Sequence, residues 1–303
     1  LAAVNLYPLS SATADPTLTQ DEVLAYVDPV GPALLRAAAR NFKRVIALCD
    51  PDDYQQAVET FKAYDRMLPD RRQALAAKAF HYAAYYDSTV AQYLGGQWEE
   101  FPDEVVIALK KSADLRYGEN PHQAGAFYTL SGARPWGLNA AQLHTGRALA
   151  YGHYLDLETA WELVSAFQEP ACAIVKHGVP AGLACGEDLA KAARRAYAGD
   201  PRGCFRGTAA VNVEVGSAAA EFFAEEFVSC IAAPEFSAKA LQLLKAKKDI
   251  RLVTLPSKLV TAHELDVRAV AGGMLVQERD QRPFIADLKT ASRRQPSSRE
   301  TAG

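Results

Sequence analysis

Residues 156–175 read DLETAWELVSAFQEPACAIV, and this stretch indicates the fold better than any other part of the chain. Apolar residues at positions 157, 160, 161 and 164 recur at the spacing of one helix face. The run from Ala171 to Val175 is short, continuous and apolar, as expected of a buried strand. The stretch therefore predicts a helix followed by a strand of an α/β layer fold.

Beyond this stretch, predicted helices and strands continue to alternate. Helices are predicted from Asp188 to Ala198, from Ser217 to Val228 and from Ser237 to Lys247, and strands over 209–215, 231–233 and 250–255. The two serines stand at the starts of their helices as capping residues. Such alternation predicts an α/β fold with a largely parallel or mixed sheet.

The first hundred residues are predicted to be mainly helical. Helices are predicted over 21–27, over 31–41 and over 71–94, and a buried strand over 44–49. Turn formers and acidic residues between Gly95 and Asp103 mark a domain boundary, after which residues 105–109 read as a new strand. The sequence therefore predicts two α/β domains.

Composition limits the function classes. The chain has 303 residues, 49% of them hydrophobic, and a formal charge of −3 with acids and bases interspersed, which argues against a nucleic-acid-binding face. The five cysteines form no CxxC pair and no zinc-type spacing, so we expect reduced thiols and no metal site. No apolar run has bilayer length and no basic signal region is present, so we expect a cytoplasmic enzyme without membrane or nucleic-acid partners. The start without Met predicts a fragment.

Lys176 and His177 directly follow the predicted strand and precede Gly-Val-Pro-Ala-Gly. Ligands of α/β sheets bind beyond the carboxyl ends of strands, and the glycines and proline predict a tightly held loop there. A cation and an imidazole at this place form a candidate catalytic pair. The alternative is a solvated lysine beside a histidine with a local hydrogen bond, because two-residue motifs are weak evidence.

A second candidate is residues 115–123, LRYGENPHQ. Arg116 offers a planar fork for phosphate, Tyr117 offers a ring and a hydroxyl for a flat heterocycle, and Gly-Glu-Asn-Pro predicts a turn that presents both. A plain turn with exposed polar residues is the competing interpretation.

A third candidate lies near the amino terminus. Asn5 and Tyr7 follow a predicted strand and are suited to hold a ligand, while Asp28 and Arg40 are suited to acid–base or electrostatic roles. Asp28 is equally consistent with a turn residue before Pro29, and Arg40 with a solvated helix end.

Seven segments, in this order along the chain, resemble the bifunctional family that formylates aminoimidazole carboxamide ribotide (AICAR) and closes the product to inosine monophosphate (IMP). They are VNLYPL (4–9), DPVGPALLRAAARN (28–41), LRYGENPHQ (115–123), LHTGRALAYGHYLD (143–156), KHGVPAG (176–182), IAAPEFSAKAL (231–241) and RRQPS (293–297). The resemblance implies that residues 1–110 are the later part of a cyclohydrolase α/β domain. It implies that residues 111–303 are the first part of a transformylase domain with a cytidine-deaminase-like α/β fold, and that neither active site is complete in this chain.

The resemblance implies a folate-dependent formyl transfer. The AICAR amine attacks the formyl carbon of the cosubstrate 10-formyltetrahydrofolate, and His177 occupies the family's position for the base that removes the amine proton. Lys176 beside it disfavours the imidazolium. Proton transfer of this kind contributes about 10²–10⁴ in rate. Arg116 and Tyr117 match the family's AICAR-binding pair, and the family likeness implies a homodimer with sites built across the subunit interface.

The resemblance also implies ring closure to IMP in the first domain, by proton transfers without a cofactor. The residues that fall on or beside the family's IMP-binding positions are Asn5, Leu6, Tyr7, Asp28 and Pro29. Arg40 stands where the family usually has a lysine that donates and accepts protons. A guanidinium stays charged in proteins, so it stabilises an anion but does not readily shuttle protons.

Three further substrate-binding candidates depart from the family pattern. His153 replaces an amide residue, Arg206 replaces a turn glycine, and Ser229 replaces an acidic residue. Arg206 either disturbs a turn where backbone approaches ligand or takes positive φ, or adds a phosphate contact. Two hypotheses follow: a formyltransferase and cyclohydrolase, or a degenerate paralogue that binds purine ribotides with weak or no turnover.

Overall fold

The computed structural model describes residues 1–95, 101–131, 137–145, 148–226, 228–256, 265–280 and 290–298. The chain forms two compact units, Leu1–Lys258 and Leu259–Gly303. Part of the predicted boundary between Gly95 and Asp103, and part of the carboxyl-terminal tail, lie outside the described residues.

The described residues contain both helices and strands throughout the first unit, so the mixed α/β class is confirmed. The α-helices are α1 (Leu9–Ala14), α2 (Gln20–Leu24), α3 (Gly31–Arg40), α4 (Tyr54–Tyr64), α5 (Pro69–Gly95), α6 (Tyr151–Ser165), α7 (Leu189–Gly199), α8 (Pro201–Cys204), α9 (Ser217–Glu225) and α10 (Ala238–Lys245). The strands are β1 (Ala2–Ala3), β2 (Ala47–Leu48), β3 (Leu109–Leu115), β4 (Gly125–Leu130), β5 (Gln142–Leu143), β6 (Ala171–Lys176), β7 (Val179–Cys185), β8 (Thr208–Val211), β9 (Cys230–Ala233), β10 (Arg251–Thr254), β11 (Leu265–Val270) and β12 (Gly273–Glu278).

The largest sheet of the first unit has the strand order β5-β10-β9-β8-β6-β7 among the described residues. Strands β8, β9 and β10 are parallel, whereas β6 runs antiparallel to both of its neighbours and β5 runs antiparallel to β10. Because side chains alternate across a strand, Cys172 and Ile174 pack with α7, α9 and α10, while Ala173 and Val175 pack with α6. The sheet is therefore covered by helices on both faces, and its continuous apolar strands are buried.

The amino-terminal elements surround the long helix α5. Parallel β1 and β2 pair through Ala2 with Ala47 and Ala3 with Leu48. Apolar clusters join α5 to α3 and β2, to α1 and α2, and to α4. Helix α2 begins with a capping box, in which Thr19 accepts from the Glu22 backbone and the Glu22 carboxylate accepts from the Thr19 backbone.

Several predicted boundaries are corrected by the structure. The loop expected after Lys176 is a two-residue turn into β7. Pro180 and Gly182 are residues typical of loops, so the sequence does not predict this strand. The strand expected over 105–109 begins only at Leu109, because its hydrogen-bonding partner β4 faces residues 109–115. Ser217 is the first helical residue of α9 rather than its cap, and the N-cap is Gly216. Ser237, in contrast, caps α10 as predicted, accepting from the Ala240 backbone.

The second unit contains an antiparallel hairpin of β11 and β12. Val270 pairs with Gly273 across a tight turn in which Gly272 has φ +84°. A glycine adopts this left-handed conformation at little cost.

Candidate active site

The turn between β6 and β7 consists of His177 and Gly178, and Lys176 pairs with Val179 on either side of it. Both turn residues have positive φ, +54° for His177 and +72° for Gly178, as two-residue hairpin turns of the mirror-image type require. Glycine fits this conformation freely, whereas histidine is held there at a cost of about 1–2 kcal/mol. The hairpin therefore presents an exposed imidazole at the carboxyl end of a buried strand.

Asp156 connects this turn to helix α6. Its Oδ1 accepts a 2.7 Å hydrogen bond from the backbone N–H of Gly178. Burial raises the pKa of the Asp156 carboxyl above its ordinary value; the bond from Gly178 and the nearby His177 oppose that shift, and the charge of Glu119 adds to it. The carboxyl of Asp156 thus lies within electrostatic reach of both sequence motifs, 115–123 and 176–182.

Lys176 reaches the neighbouring turn at residues 204–207. Its Nζ donates a 2.9 Å hydrogen bond to the carbonyl of Phe205. Arg206 has φ +61°, a left-handed conformation that glycine adopts more readily than arginine. The carbonyl of Gly207 accepts from the Ser229 backbone at 2.8 Å and from the Ser229 hydroxyl at 3.1 Å. The structure therefore brings Lys176, Arg206 and Ser229 to one turn beside His177.

The floor of this region is a row of paired residues that runs across one end of the sheet, from β6 to β10. Val175 pairs with Thr208, Thr208 with Cys230, and Cys230 with Arg251. Because β6 is antiparallel to β8, the carboxyl end of β6 meets the amino ends of β8, β9 and β10. The Thr208 side chain is fully buried and its hydroxyl makes no hydrogen bond of normal geometry, yet it lies close enough to lower the pKa of Asp156.

His153 lies one helical turn before Asp156 on α6. Its Nδ1 accepts a 3.1 Å hydrogen bond from the Ala150 backbone. Burial, and then the charge of Arg251, lower the pKa of His153 from 6.5 to about 4. The imidazole is therefore neutral near pH 7, and its Nδ1 is occupied as an acceptor, which leaves the proton on Nε2.

The motif 115–123 folds into a closed turn at the end of β3. The Gly118 backbone donates to the Gln123 carbonyl at 2.7 Å, and the Gln123 backbone donates to the Asn120 carbonyl at 3.0 Å. The Arg116 guanidinium carbon lies 5.7 Å from the centre of the Tyr117 ring, within the range of a cation–π contact. Arg116 is exposed and Tyr117 half-buried, so both have surface to offer a ligand.

A cavity of about 240 Å³ lies between the β3–β4 hairpin and α6. Its lining includes Leu115, which directly precedes Arg116, and Tyr154, which directly follows His153. Tyr154 stacks on Phe127 with ring centres 4.5 Å apart. His177 and Asp156 do not line this cavity, so the polar cluster around the turn is a separate, open feature of the same unit.

A second group of candidate residues surrounds the start of α3. Asp28 Oδ1 accepts from the backbones of Val30 at 3.0 Å and Gly31 at 2.7 Å. A Cβ added to Gly31 would lie 2.3 Å from Asp28 Oδ2 and 2.6 Å from Leu6 Cδ2, so Leu6, Asp28 and the helix start are in close contact. Pro29 lies inside this turn before α3, exposed at the surface.

Tyrosine hydroxyls tie the same region to α4 and α5. The Tyr86 hydroxyl donates to the Tyr26 carbonyl at 2.9 Å and accepts from the Asp28 backbone at 2.7 Å. The Tyr54 hydroxyl donates to Asn5 Oδ1. Tyr7, which is exposed, lies within electrostatic reach of Tyr86. The structure therefore gathers residues 5–7 and 28–29 in one region.

Arg40 is the exception among the amino-terminal candidates. It is exposed at the carboxyl-terminal end of α3, nine residues after Gly31. At a rise of 1.5 Å per residue, the helix separates the two backbones by about 13 Å. Within one chain, the structure does not bring Arg40 to the turn at Asp28.

The sequence comparison decides the family. The sequence model of the AICARFT/IMPCHase bienzyme matches residues 38–303. The chain belongs to this family. Curated relatives named bifunctional purine biosynthesis protein PurH share 39% identity over 98% of the chain in Anoxybacillus flavithermus, 39% over 99% in Lysinibacillus sphaericus and 40% over 99% in Myxococcus xanthus. The chain covers 58%, 59% and 60% of these relatives, so it spans about three fifths of their length.

For this AICARFT/IMPCHase chain, the sequence alone does not identify Asp156. The pattern predicts a helix that begins at Asp156, whereas α6 begins at Tyr151 and buries Asp156 together with Leu157 and Ala160. A carboxyl residue on an otherwise buried helix face is the signal that could have identified it, because such residues are rarely buried without a partner. Thr208, between Val175 and Cys230, carried no sequence signal, because its position depends on strand pairing.

Within the described residues, no helix has the length and apolar character needed to cross a bilayer. The same residues contain no group of three or more His, Cys, Asp or Glu side chains placed to hold a metal ion.

Proposed function

We propose that this chain is part of a bifunctional enzyme of purine biosynthesis that transfers a formyl group from 10-formyltetrahydrofolate to AICAR and then closes formyl-AICAR to IMP. The observation that carries the proposal is the position of Asp156, bonded to the Gly178 turn and within electrostatic reach of both His177 and Glu119. Two motifs about 60 residues apart in sequence are thereby brought to one carboxyl.

In the proposed transfer, the AICAR amine forms a C–N bond with the formyl carbon, and the bond between that carbon and the folate nitrogen breaks. His177 accepts the proton that the amine loses, and this proton passes to the folate nitrogen as tetrahydrofolate leaves. Lys176, held by the Phe205 carbonyl, supplies positive charge next to the developing negative charge on the formyl oxygen. Arg116 and Tyr117 are proposed to bind the ribotide.

The three departures from the family pattern are compatible with this chemistry. His153 is neutral and offers an N–H donor from Nε2, which is one of the two capacities of the amide that it replaces. Arg206 has the positive φ that a glycine adopts readily, and it places a cation on the same turn that Lys176 contacts. Ser229 is proposed as a polar wall of the site rather than as an acid, since its hydroxyl donates to Gly207.

Ring closure is proposed for the region of residues 5–7 and 28–29. There, Asp28 holds the turn before α3 by accepting from the Val30 and Gly31 backbones, and it is proposed to fix the position of the ligand-contacting residues beside it. Arg40 is proposed to attract anionic ligands but not to shuttle protons.

We propose that residues 1–110 and 111–303 belong to two domains, supported by separate apolar clusters before residue 94 and after residue 137. We also propose that the full-length enzyme is a homodimer and is located in the cytoplasm.

The test is formyl transfer to AICAR by the full-length polypeptide, followed by ring closure. His177→Ala is expected to lower kcat for formyl transfer by about 10²–10⁴ with little change in AICAR affinity, since it removes a proton acceptor. His81→Ala, on the exposed face of α5, is the matched control and should leave kcat unchanged. No transfer by the unmodified protein, or an unchanged rate after His177→Ala, refutes the proposal. Tight AICAR or IMP binding without turnover would instead favour the non-catalytic paralogue, which the comparisons do not support.

A further inference from the structure

The hairpin that carries His177 is irregular close to its turn. The β6–β7 register shifts between Ile174 and Val175, so the ladder is irregular two residues before the turn begins. Val175 faces Pro180, which has no backbone N–H to donate. Only the Val175–Pro180 and Lys176–Val179 pairs lie between this irregularity and the turn.

Asp156 supplies a bond at this place from outside the hairpin. Its side chain is buried, with 9% of its surface exposed, and its Oδ1 accepts from the Gly178 backbone at 2.7 Å. The helix that carries Asp156 is fixed in turn, because its neighbours Leu157 and Ala160 are fully buried against the sheet. The bond thus ties the turn to one of the rigid elements of the first unit.

We propose that Asp156 is a positioning residue, which holds the His177–Gly178 turn so that the imidazole stands where the formyl-transfer reaction needs it. The inference rests on the proposed function and adds to it a residue that does not touch the substrate. The turn residues have positive φ, and the hydrogen bond fixes the Gly178 amide in that conformation. Small misplacements of a catalytic group are costly, since about 1 Å can reduce rate by about 10²-fold.

The experiment compares Asp156→Ala with Asp156→Asn in the full-length protein. Alanine removes the acceptor, whereas asparagine keeps an oxygen for the Gly178 N–H and loses only the charge. We expect Asp156→Ala to lower kcat by about 10²-fold while KM for AICAR changes by no more than a few fold. Asp156→Asn is expected to restore kcat to within several fold of the unmodified enzyme. Equal losses in the two folded variants, or an unchanged kcat in Asp156→Ala, overturn the proposal.

A second comparison separates positioning from general stability. If Asp156 acts through His177, Asp156→Ala should have almost no further effect on kcat when His177 is already alanine. A full, additive loss in the double variant contradicts the proposal. If Asp156→Ala does not fold, Asp156→Ser takes its place with the same expectations, because serine is too short to reach Gly178.

Amide hydrogen exchange at Gly178 provides a readout that does not depend on activity. Exchange should be slow in the unmodified protein and in Asp156→Asn, and at least tenfold faster in the variant without an acceptor. An unmodified protein that lacks formyl transfer but shows this pattern would reject the proposed function and leave the tethering role intact. Equal exchange rates in all variants reject the tethering role itself.

Discussion

The Oδ1 atom of Asp156 lies 2.7 Å from the backbone nitrogen of Gly178, 22 residues further along the chain. This one bond joins helix α6, which packs on one face of the sheet, to the turn between β6 and β7 that presents His177. The charged groups that influence the same carboxyl come from the motif 115–123 and from the turn. The local geometry of the turn therefore depends on α6 as well as on the hairpin.

His153 should make the protein sensitive to acid. Its pKa falls from 6.5 to about 4 on folding, so its contribution to stability is fully present above pH 6.5 and is lost as the pH falls through about 4. The maximum loss is about 3 kcal/mol, from the size of the shift. Urea unfolding at a series of pH values should show the unmodified protein losing stability relative to His153→Asn over this range. The raised pKa of Asp156 acts in both proteins and cancels in the comparison. Parallel pH dependences would contradict the prediction.

The backbone conformation at position 206 should make the protein with arginine there less stable than the protein with glycine. Its φ of +61° costs a residue with a Cβ about 1–2 kcal/mol. Arg206→Gly should therefore be more stable than Arg206→Ala by about 1 kcal/mol, as measured by chemical denaturation. Both variants lack the guanidinium, so their difference isolates the backbone conformation. Equal stabilities, or a more stable alanine variant, would show that the turn relaxes out of the left-handed region.

Asp28 should contribute to stability by holding the turn before α3, as well as to any ligand site. Its Oδ1 accepts from the Val30 and Gly31 backbones. Asp28→Ala should lower the free energy of unfolding by about 1 kcal/mol, as loss of side-chain hydrogen bonds to the backbone commonly does, whereas Asp28→Asn, which keeps an acceptor, should cost less. Thermal and urea unfolding of the two variants check this expectation. If asparagine is as destabilising as alanine, the charge matters rather than the two hydrogen bonds.

Cys185 should be the first cysteine to react in the folded protein. It is partly exposed, whereas Cys49, Cys172, Cys204 and Cys230 are buried. Burial raises the pKa of Cys230 to about 12 and raises that of Cys172 further, so both stay protonated at neutral pH. Burial, followed by the charge of Glu169, also raises the pKa of Cys185, so its reaction should be slower than that of a free thiol.

Alkylation with iodoacetamide at pH 8, followed by peptide mass mapping, tests this order of reactivity. Cys185→Ser should remove the fast phase, and urea should expose all five thiols. Earlier labelling of any of the four buried cysteines in the native protein would contradict it.

The sequence predicted those parts of the fold that depend on local signals. The helix expected over 71–94 is α5 (Pro69–Gly95), and the cap Ser237 is confirmed, since both follow from periodicity and capping chemistry. Strand β7 was missed because Pro180 and Gly182 resemble loop residues, and only pairing with β6 makes the segment extended. The strand expected over 44–49 is reduced to Ala47–Leu48 for the same reason, because its extent is set by pairing with β1.

The candidate site residues also divide into those that local sequence signals predict and those that depend on tertiary pairing. Lys176 and His177 stood out from their place after an apolar strand, which needs only local information. Asp156 and Thr208 did not, because their role depends on which helix and which strand lie beside β6. The separation of Arg40 from Asp28 also required coordinates, since a helix places its two ends apart whatever the motif that spans them.

A crystal structure of the full-length protein with AICAR bound tests the central claim most directly. The account predicts that the exocyclic amine of AICAR lies within about 3.2 Å of an imidazole nitrogen of His177. It also predicts that Arg116, from the same subunit or its partner, contacts the same ligand, and that the Gly178 N–H stays bonded to Asp156. AICAR bound elsewhere, or bound with His177 facing a different surface, would contradict it.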